Sequence, residues 1–136
     1  DLFNNIYPKY KELKLSPALT YIDFFEYNKD KITSIDFINT NLQFNISQSF
    51  VNDTKFELND LNFTLNYKTN KDILSLNIRD GRINDEKEGI VMQTKLIGNK
   101  GLYNKNELTN WLESSHNTCS DIFKKLTEGN LYNSFK

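Results

Sequence analysis

The sequence predicts an α+β domain in which an antiparallel sheet of four to six strands packs against a long C-terminal helix, with a short helix at the N-terminus. Two patterns support this fold class. Apolar and polar residues alternate with a period of two through the middle of the chain, as in a sheet with one face in water. Apolar residues then recur at helical spacing near the C-terminus. A length of 136 residues suits one core without disulfides or metal, so we expect a single domain over residues 1–136.

The N-terminal helix is predicted between Leu2 and Leu15. Pro8 removes one backbone donor inside this segment, so the helix is short or kinked. Ser16-Pro17 then ends it. The apolar residues that share one helical face are Leu2, Phe3, Ile6, Tyr10 and Leu13.

The first strand is predicted over Thr20–Tyr27, a segment rich in aromatic and β-branched residues. A polar connection, Asn28–Thr33, follows it. The next segment, Ser34–Asn39, is compatible with either a helical turn or more sheet, and its pattern does not choose between them.

Strict alternation predicts the next strands, and Ile90–Ile97 is expected to form a final one. The alternating strands are expected over Leu42–Ser47, Phe56–Leu58, Leu61–Lys68 and Leu74–Arg79. The phase of the alternation changes at Asn59-Asp60, which indicates a bulge or tight turn. The expected connections are an Asn70–Asp72 hairpin, an Asp80-Gly81 turn, a charged Asn84–Gly89 loop and a closing Gly98–Gly101 segment.

The C-terminal helix has the clearest signals. Asn104 can cap its first turn while Glu107 reaches back, and Tyr103 and Leu108 flank this capping box as a hydrophobic staple. Gly129 is expected to end the helix. At about 25 residues, some 37 Å, the helix is long enough to lie across a whole sheet. Its apolar stripe consists of Leu108, Trp111, Leu112, Ser115, Cys119, Ile122, Phe123 and Leu126.

Composition argues against several function classes. One His and one Cys cannot supply the four ligands of a structural zinc site, and we expect no metal and no cofactor. Lys and Arg total 17 against 18 Asp and Glu, which leaves no basic excess for binding nucleic acid. The sequence contains no apolar run of about 18 residues, so it predicts no membrane span. Because no targeting signal is visible, a cytoplasmic location is the default expectation.

His116 and Cys119 are three residues apart on the predicted C-terminal helix, so their side chains can be neighbours. They are candidates for a nucleophile beside a base, or for two metal ligands. Cys119 also lies on the apolar stripe, where a free cysteine behaves as a small hydrophobic residue. A structural role is the favoured interpretation of the pair.

Arg79 and Arg82, the two arginines of the chain, flank Asp80-Gly81. Arginine suits bidentate contact with phosphate or carboxylate, so the pair is a candidate anion site. The alternative is two solvated strand ends joined by a turn. Acidic pairs such as Asp23 and Glu26 are candidates for acid–base catalysis only if they share a cleft, and nothing in the sequence places them in one.

The order of features over most of the 136 residues resembles a known family. The strand Leu19–Phe25 reads Leu-Thr-Tyr-Ile-Asp-Phe-Phe and follows the helix that contains Tyr10. The last helix carries Leu112, His116, Phe123 and Leu126-Thr127. These features resemble the C-terminal half of a sporadically distributed prokaryotic family of uncharacterised proteins about twice this length, with a Tyr-Ile-Asn/Asp strand and a closing His…Phe…(Ile/Leu)-Thr helix.

This family often has Arg where the present chain has Thr20. The resemblance implies that the chain is the C-terminal part of a longer protein. The start at Asp1 instead of Met leads us to expect an excised domain or a processed product. The resemblance implies no activity and no site residues.

Two functions follow from these patterns. The first is a non-catalytic interaction or assembly module that docks a protein partner or another copy of itself. This reading is favoured because the predicted wet face carries Asn, Thr and Ser, which cost less to desolvate than charges. The alternative is a small-ligand-binding domain or enzyme with a pocket between the sheet and the C-terminal helix, as in helix-grip folds.

Overall fold

The computed structural model describes residues 14–135. Its elements in chain order are β1 (Ala18–Glu26), α1 (Ser34–Asn41), a 3₁₀ turn (Ser49–Val51), β2 (Asn62–Lys68), β3 (Asp72–Ile83), β4 (Lys87–Gly98), α2 (Lys105–Leu126) and α3 (Asn130–Asn133). The strands form one antiparallel sheet of order β1-β4-β3-β2. The predicted class, an antiparallel sheet with a long C-terminal helix, is confirmed with four strands.

The predicted N-terminal helix lies almost entirely outside the described residues. Within them, Leu15 forms an isolated antiparallel bridge with Gly101. The chain is therefore already extended where it approaches β1.

Strand register sorts the sheet positions into two faces, because residues directly opposite each other point the same way. The inner face contains the core: Phe25 pairs with Ile90, and Ile78 pairs with Met92. The outer face begins one residue away on each strand. It includes Asn77, which pairs with Gln93 on β4 and Thr64 on β2.

Two layers cover the inner face. Helix α2 packs on β1 and β4, with Ser115 and Cys119 buried at the contact. Over β3 and β2, the cover is α1 together with the irregular segment 42–61, which contributes Leu42 and Leu61 to the core. The expectation that one helix spans the whole sheet is therefore wrong. Helix α2 contacts mainly β1 and β4 and reaches β3 through the hydrogen bond from Trp111 Nε1 to Asp72 Oδ1 at 3.1 Å.

The segment Ser34–Asn39, left open by its sequence, is helical. The Thr33 hydroxyl accepts a hydrogen bond from the backbone N–H of Asp36 at 3.1 Å. This N-cap satisfies one of the donors that the first turn leaves without a helical partner.

The predicted strand Leu42–Ser47 is not a strand. Leu42 is buried and Phe44 and Ile46 pack against the core, so the alternation does reflect burial. The backbone of this segment forms hydrogen bonds with a side chain instead of with a neighbouring strand. Asn39 accepts from the backbone N–H of Ile46 and donates to its carbonyl, both at 2.8 Å.

The predicted strand Phe56–Leu58 is also wrong, because no regular structure forms there. Phe56 is 79% exposed. Its alternation with Leu58 does not mark a buried face, and the regular sheet resumes only at Asn62.

The connections around β3 differ from expectation at one end. Asn70–Asp72 contains the turn that enters β3, as predicted, but Asp80-Gly81 lies within the strand. The turn to β4 comes at Asn84 and Asp85, which have φ values of 54° and 58°. Asparagine and aspartate tolerate this left-handed region better than most residues. The predicted charged loop is correspondingly shorter, because β4 begins at Lys87.

Helix α2 begins as its sequence predicts. Asn104 accepts from the backbone N–H of Glu107, and the Glu107 carboxylate accepts from the backbone N–H of Asn104, so both halves of the capping box are present. The helix ends at Leu126, with Thr127 as its C-cap, two residues before Gly129. Among residues 14–135, no helix combines the length and apolar character that crossing a bilayer would need.

Candidate functional site

The outer face of the sheet is the first candidate surface. The core and the helices lie on the inner side, and no element formed by residues 14–135 packs over the outer one. Ile22, on edge strand β1, is 64% exposed there. Phe24 and Val91 are cross-strand neighbours on the same face.

A hydrogen-bond network joins three strands of this face. The side chain of Asn77 donates to Asn62 Oδ1 at 2.8 Å and to Thr64 Oγ1 at 2.9 Å. Arg79 Nη1 donates to Asn77 Oδ1 at 2.6 Å and to Gln93 Oε1 at 3.4 Å. The network links β2, β3 and β4 and orients the guanidinium group before any partner arrives.

Arg79 is half-buried and has no carboxylate partner among residues 14–135. Register places Lys68, Lys87 and Lys95 on the same face, against one acid, Glu26. The outer face is therefore basic although the whole chain has a net charge of −1.

Arg82 does not join Arg79. The two arginines are three residues apart on β3, so they point to opposite faces of the sheet. Arg82 Nη2 forms an ion pair with Glu88 Oε1 at 2.8 Å near the hairpin end. The structure thus separates the candidate anion pair and leaves only Arg79 without an acidic partner.

The second candidate is a cleft of about 180 Å³ between β1, β4 and α2. Its lining residues are Tyr21, Asp23, Thr94, His116, Cys119, Ser120 and Phe123. The exposed His116 lies at the mouth, whereas the buried Thr94 and Cys119 lie deep in it.

Tyr21 and His116 are in contact across the cleft. The tyrosine hydroxyl and His116 Nδ1 share a short hydrogen bond, and the ring centroids are 5.8 Å apart. Which atom donates depends on the imidazole tautomer.

Asp23 and Thr94 are the polar groups of the cleft that lack partners. Asp23 is half-buried, and its carboxylate forms no hydrogen bond or ion pair within residues 14–135. Burial raises the pKa of this carboxyl above its usual value of 3.8. Thr94 is 2% exposed, and its hydroxyl is likewise unpaired in the described part of the chain.

His116 and Cys119 reach the same cleft without forming a nucleophile–base pair. His116 Nδ1 binds Tyr21, and no hydrogen bond joins the imidazole to Cys119 or Asp23 within residues 14–135. Burial raises the pKa of the Cys119 thiol above 9.0, whereas a reactive cysteine needs a lowered pKa and access to solvent. In the described region, no cluster of three or more His, Cys, Asp or Glu side chains is arranged to hold a metal ion.

Sequence reasoning missed Tyr21, Asp23 and Thr94 as members of this cleft. The alternation of β1 was sufficient to place Tyr21, Asp23 and the core residue Phe25 on one face. What the sequence could not supply was the register that puts Thr94 opposite Tyr21.

A third cavity, of about 780 Å³, is an open groove beside α1, between that helix and the irregular segment. Backbone and small polar side chains of Thr33, Ser34, Ser47 and Asn52 contribute to its wall. It gathers no set of convergent chemical groups comparable to the cleft.

No family model, no curated protein and no solved structure matches the chain significantly. The resemblance to the prokaryotic family therefore remains a prediction.

Proposed function

We propose that this domain is a non-catalytic protein-interaction module that docks an acidic protein surface on the outer face of its sheet. The observation that carries the proposal is the state of Arg79. Its guanidinium is held by Asn77 and Gln93 and has no acid beside it in the described chain. It lies on a face that no other element formed by residues 14–135 covers.

The composition of the face supports this assignment. Arginine and apolar residues are enriched at protein interfaces, and charged residues are depleted from interface centres. Here the region around Arg79 carries Asn, Gln and Thr, whose desolvation costs less than that of charged groups. Exposed Ile22 adds apolar area next to them.

Pre-organisation strengthens the electrostatic argument. A flexible arginine loses rotamer entropy when it binds, whereas Arg79 is already restrained by two hydrogen bonds. A carboxylate from a partner would meet guanidinium donors in a fixed fork. The surrounding lysines would steer an acidic surface toward this face.

The size of the face fits a folded partner. Four strands spaced about 4.8 Å apart and about ten residues long define a surface of about 600 Å². A standard interface buries about 800 Å² on each partner. A second acidic domain therefore matches the face better than a short peptide does.

Nucleic acid fits the same face less well. Sheets that bind single-stranded RNA stack several bases on aromatic side chains. On the outer face, register places one aromatic residue, Phe24.

The two arginines provide a matched test. Affinity capture with the immobilised domain, from an extract of the cells that produce the protein, is carried out with wild type, Arg79→Glu and Arg82→Glu. Both substitutions reverse one charge on β3, but only Arg79 lies on the outer face. We expect an acidic protein to be retained by wild type and Arg82→Glu and lost with Arg79→Glu.

Each alternative result contradicts the proposal. Equal retention by Arg79→Glu would show that the outer face is not the docking surface. Selective retention of nucleic acid would show that the partner of this face is nucleic acid and not a protein. A dimer in sedimentation velocity that Arg79→Glu dissociates would assign the face to a second copy of the chain instead.

A further inference from the structure

The cleft between β1, β4 and α2 has the volume of a small-molecule site. A cavity of about 150 Å³ accommodates benzene, and this cleft measures about 180 Å³. Phe123 contributes an aromatic wall, and Cys119 contributes an apolar floor. These dimensions suit a compact molecule of about eight non-hydrogen atoms.

Asp23 determines the charge that such a molecule would carry. Its carboxylate is half-buried without a hydrogen bond or ion pair among residues 14–135. Its cross-strand neighbour on β4 is the fully buried Met92, which offers it no polar partner. Partial burial makes the charged form of this carboxylate less favourable, and a cation bound beside it would offset that cost.

The other titratable groups of the cleft do not supply that partner. Tyr21 and His116 are engaged with each other, and Cys119 is a buried thiol whose pKa is raised by burial. Thr94 adds a hydroxyl that is also unpaired within the described residues. The site thus presents an acceptor with negative charge, one hydroxyl and an aromatic wall.

We propose that this cleft binds a small organic cation, a primary amine on a short aromatic or apolar body, with the ammonium group held by Asp23 and the body against Phe123. Ammonium donates to the carboxylate, and a cation near an aromatic ring is attracted to its face. The site is on the inner side of the sheet and is independent of the docking surface around Arg79.

Benzylamine, benzyl alcohol and benzoate form a matched set of probes. All three carry a six-membered aromatic ring and differ mainly in charge. We expect benzylamine to shift the backbone amide signals of Tyr21, Asp23, Thr94 and Cys119 in ¹⁵N-resolved NMR spectra at pH 7. A dissociation constant of about 1–10 mM is expected for a ligand of this size.

Two variants separate recognition by Asp23 from general charge effects. Asp23→Asn removes the charge in the cleft and is expected to weaken benzylamine binding about tenfold or more. Asp121→Asn makes the same change on the solvent side of α2 and should leave binding unchanged. The ¹⁵N-resolved NMR spectrum of each variant also shows directly whether that variant is folded.

The pH dependence gives a second readout. Binding of benzylamine should weaken as the pH falls and the Asp23 carboxyl becomes protonated, at a higher pH than an exposed aspartate would, because burial raises the pKa of this carboxyl. In Asp23→Asn, the residual binding should lose the part of this dependence that comes from the carboxyl.

Three results would overturn the proposal. The first is the absence of localised chemical-shift changes at benzylamine concentrations up to about 50 mM, about five times the largest dissociation constant expected for a ligand of this size. The second is equal binding of benzyl alcohol, which would show that the carboxylate does not select a cation. The third is an equal effect of Asp23→Asn and Asp121→Asn.

Discussion

Asp80 joins three parts of the fold that are distant in sequence. Its side chain is 14% exposed and points inward from β3. Oδ1 accepts from the Ser34 hydroxyl and Oδ2 from the backbone N–H of Leu61, both at 2.8 Å. The Ser34 hydroxyl is also 2.7 Å from that of Tyr27. Asp80 therefore connects the beginning of α1, the end of the irregular segment and the region after β1.

Replacement of Asp80 by Ala should be among the more destabilising single changes in this domain. A hydrogen bond to a charged group contributes about 1.5–3 kcal/mol, so two of them contribute about 3–6 kcal/mol. Water can partly replace the carboxylate at this site, so we expect a loss near the lower end, about 3 kcal/mol. The Lys29 ammonium, 3.9 Å away and partly exposed, adds little because exposed ion pairs are weak.

Urea denaturation followed by circular dichroism measures this loss. With a slope of about 2 kcal/mol per molar, 3 kcal/mol lowers the unfolding midpoint by about 1.5 M. Asp60→Ala is the matched control, because Asp60 is exposed, precedes Leu61 and makes no hydrogen bond with residues 14–135. If Asp80→Ala shifted the midpoint no more than Asp60→Ala, the carboxylate would not be what holds these segments together.

Three other substitutions or reactions test separate features. Gly89→Ala should destabilise by about 1–3 kcal/mol in urea denaturation, because its Cβ would lie 2.2 Å from the Phe25 carbonyl oxygen. Gly101→Ala should be nearly neutral, because no atom beyond the adjacent residues would lie closer than 3.9 Å to its Cβ. Equal losses of stability in the two variants would contradict the close approach of Gly89 to Phe25. Asp23→Asn should match wild-type stability near pH 3 and exceed it at pH 7. Burial raises the pKa of Asp23 above 3.8, so the unfolded chain ionises at this position first and wild type loses stability relative to Asp23→Asn as the pH rises. Parallel pH profiles of the two proteins would refute this. At pH 8, the Cys119 thiol should react with a disulfide reagent at least tenfold more slowly in folded than in urea-unfolded protein, because burial raises the pKa of this thiol.

Local signals account for the parts of the fold that the sequence predicts well. The capping box at Asn104 and Glu107 needs only residues within one turn, and its prediction is confirmed. Strands β1 to β4 each contain a predicted strand segment. The alternation that predicts β2 and β3 arises because one face of each strand is more buried than the other.

Non-local contacts account for the parts that fail. The segment Leu42–Ser47 alternates as a strand does, but its hydrogen-bonding partner is the Asn39 side chain. Asp80-Gly81 has the residues of a tight turn, yet Asp80 is drawn inward by Ser34 and Leu61. Neither partner is visible in the sequence windows that carry those patterns.

The candidate sites likewise combine a part that follows from local sequence spacing with a part that depends on strand pairing. The spacing of His116 and Cys119 on one helix correctly brings both into one cleft. The role of Arg79 depends on Asn77 and Gln93, and Gln93 becomes its neighbour only through the pairing of β3 with β4. The cleft likewise depends on β1 pairing with β4.

The two proposed sites use opposite faces of one sheet, and this geometry makes them separable. Asp23 lies on the inner face of β1, whereas Arg79 lies on the outer face of β3, two strands away. Strand spacing alone puts them about 10 Å apart in the plane of the sheet. Substitutions at such a distance without shared partners have additive effects. Arg79→Glu should therefore leave benzylamine affinity unchanged, and Asp23→Asn should leave partner capture unchanged. A change in either would require the sheet itself to have two arrangements that couple its faces.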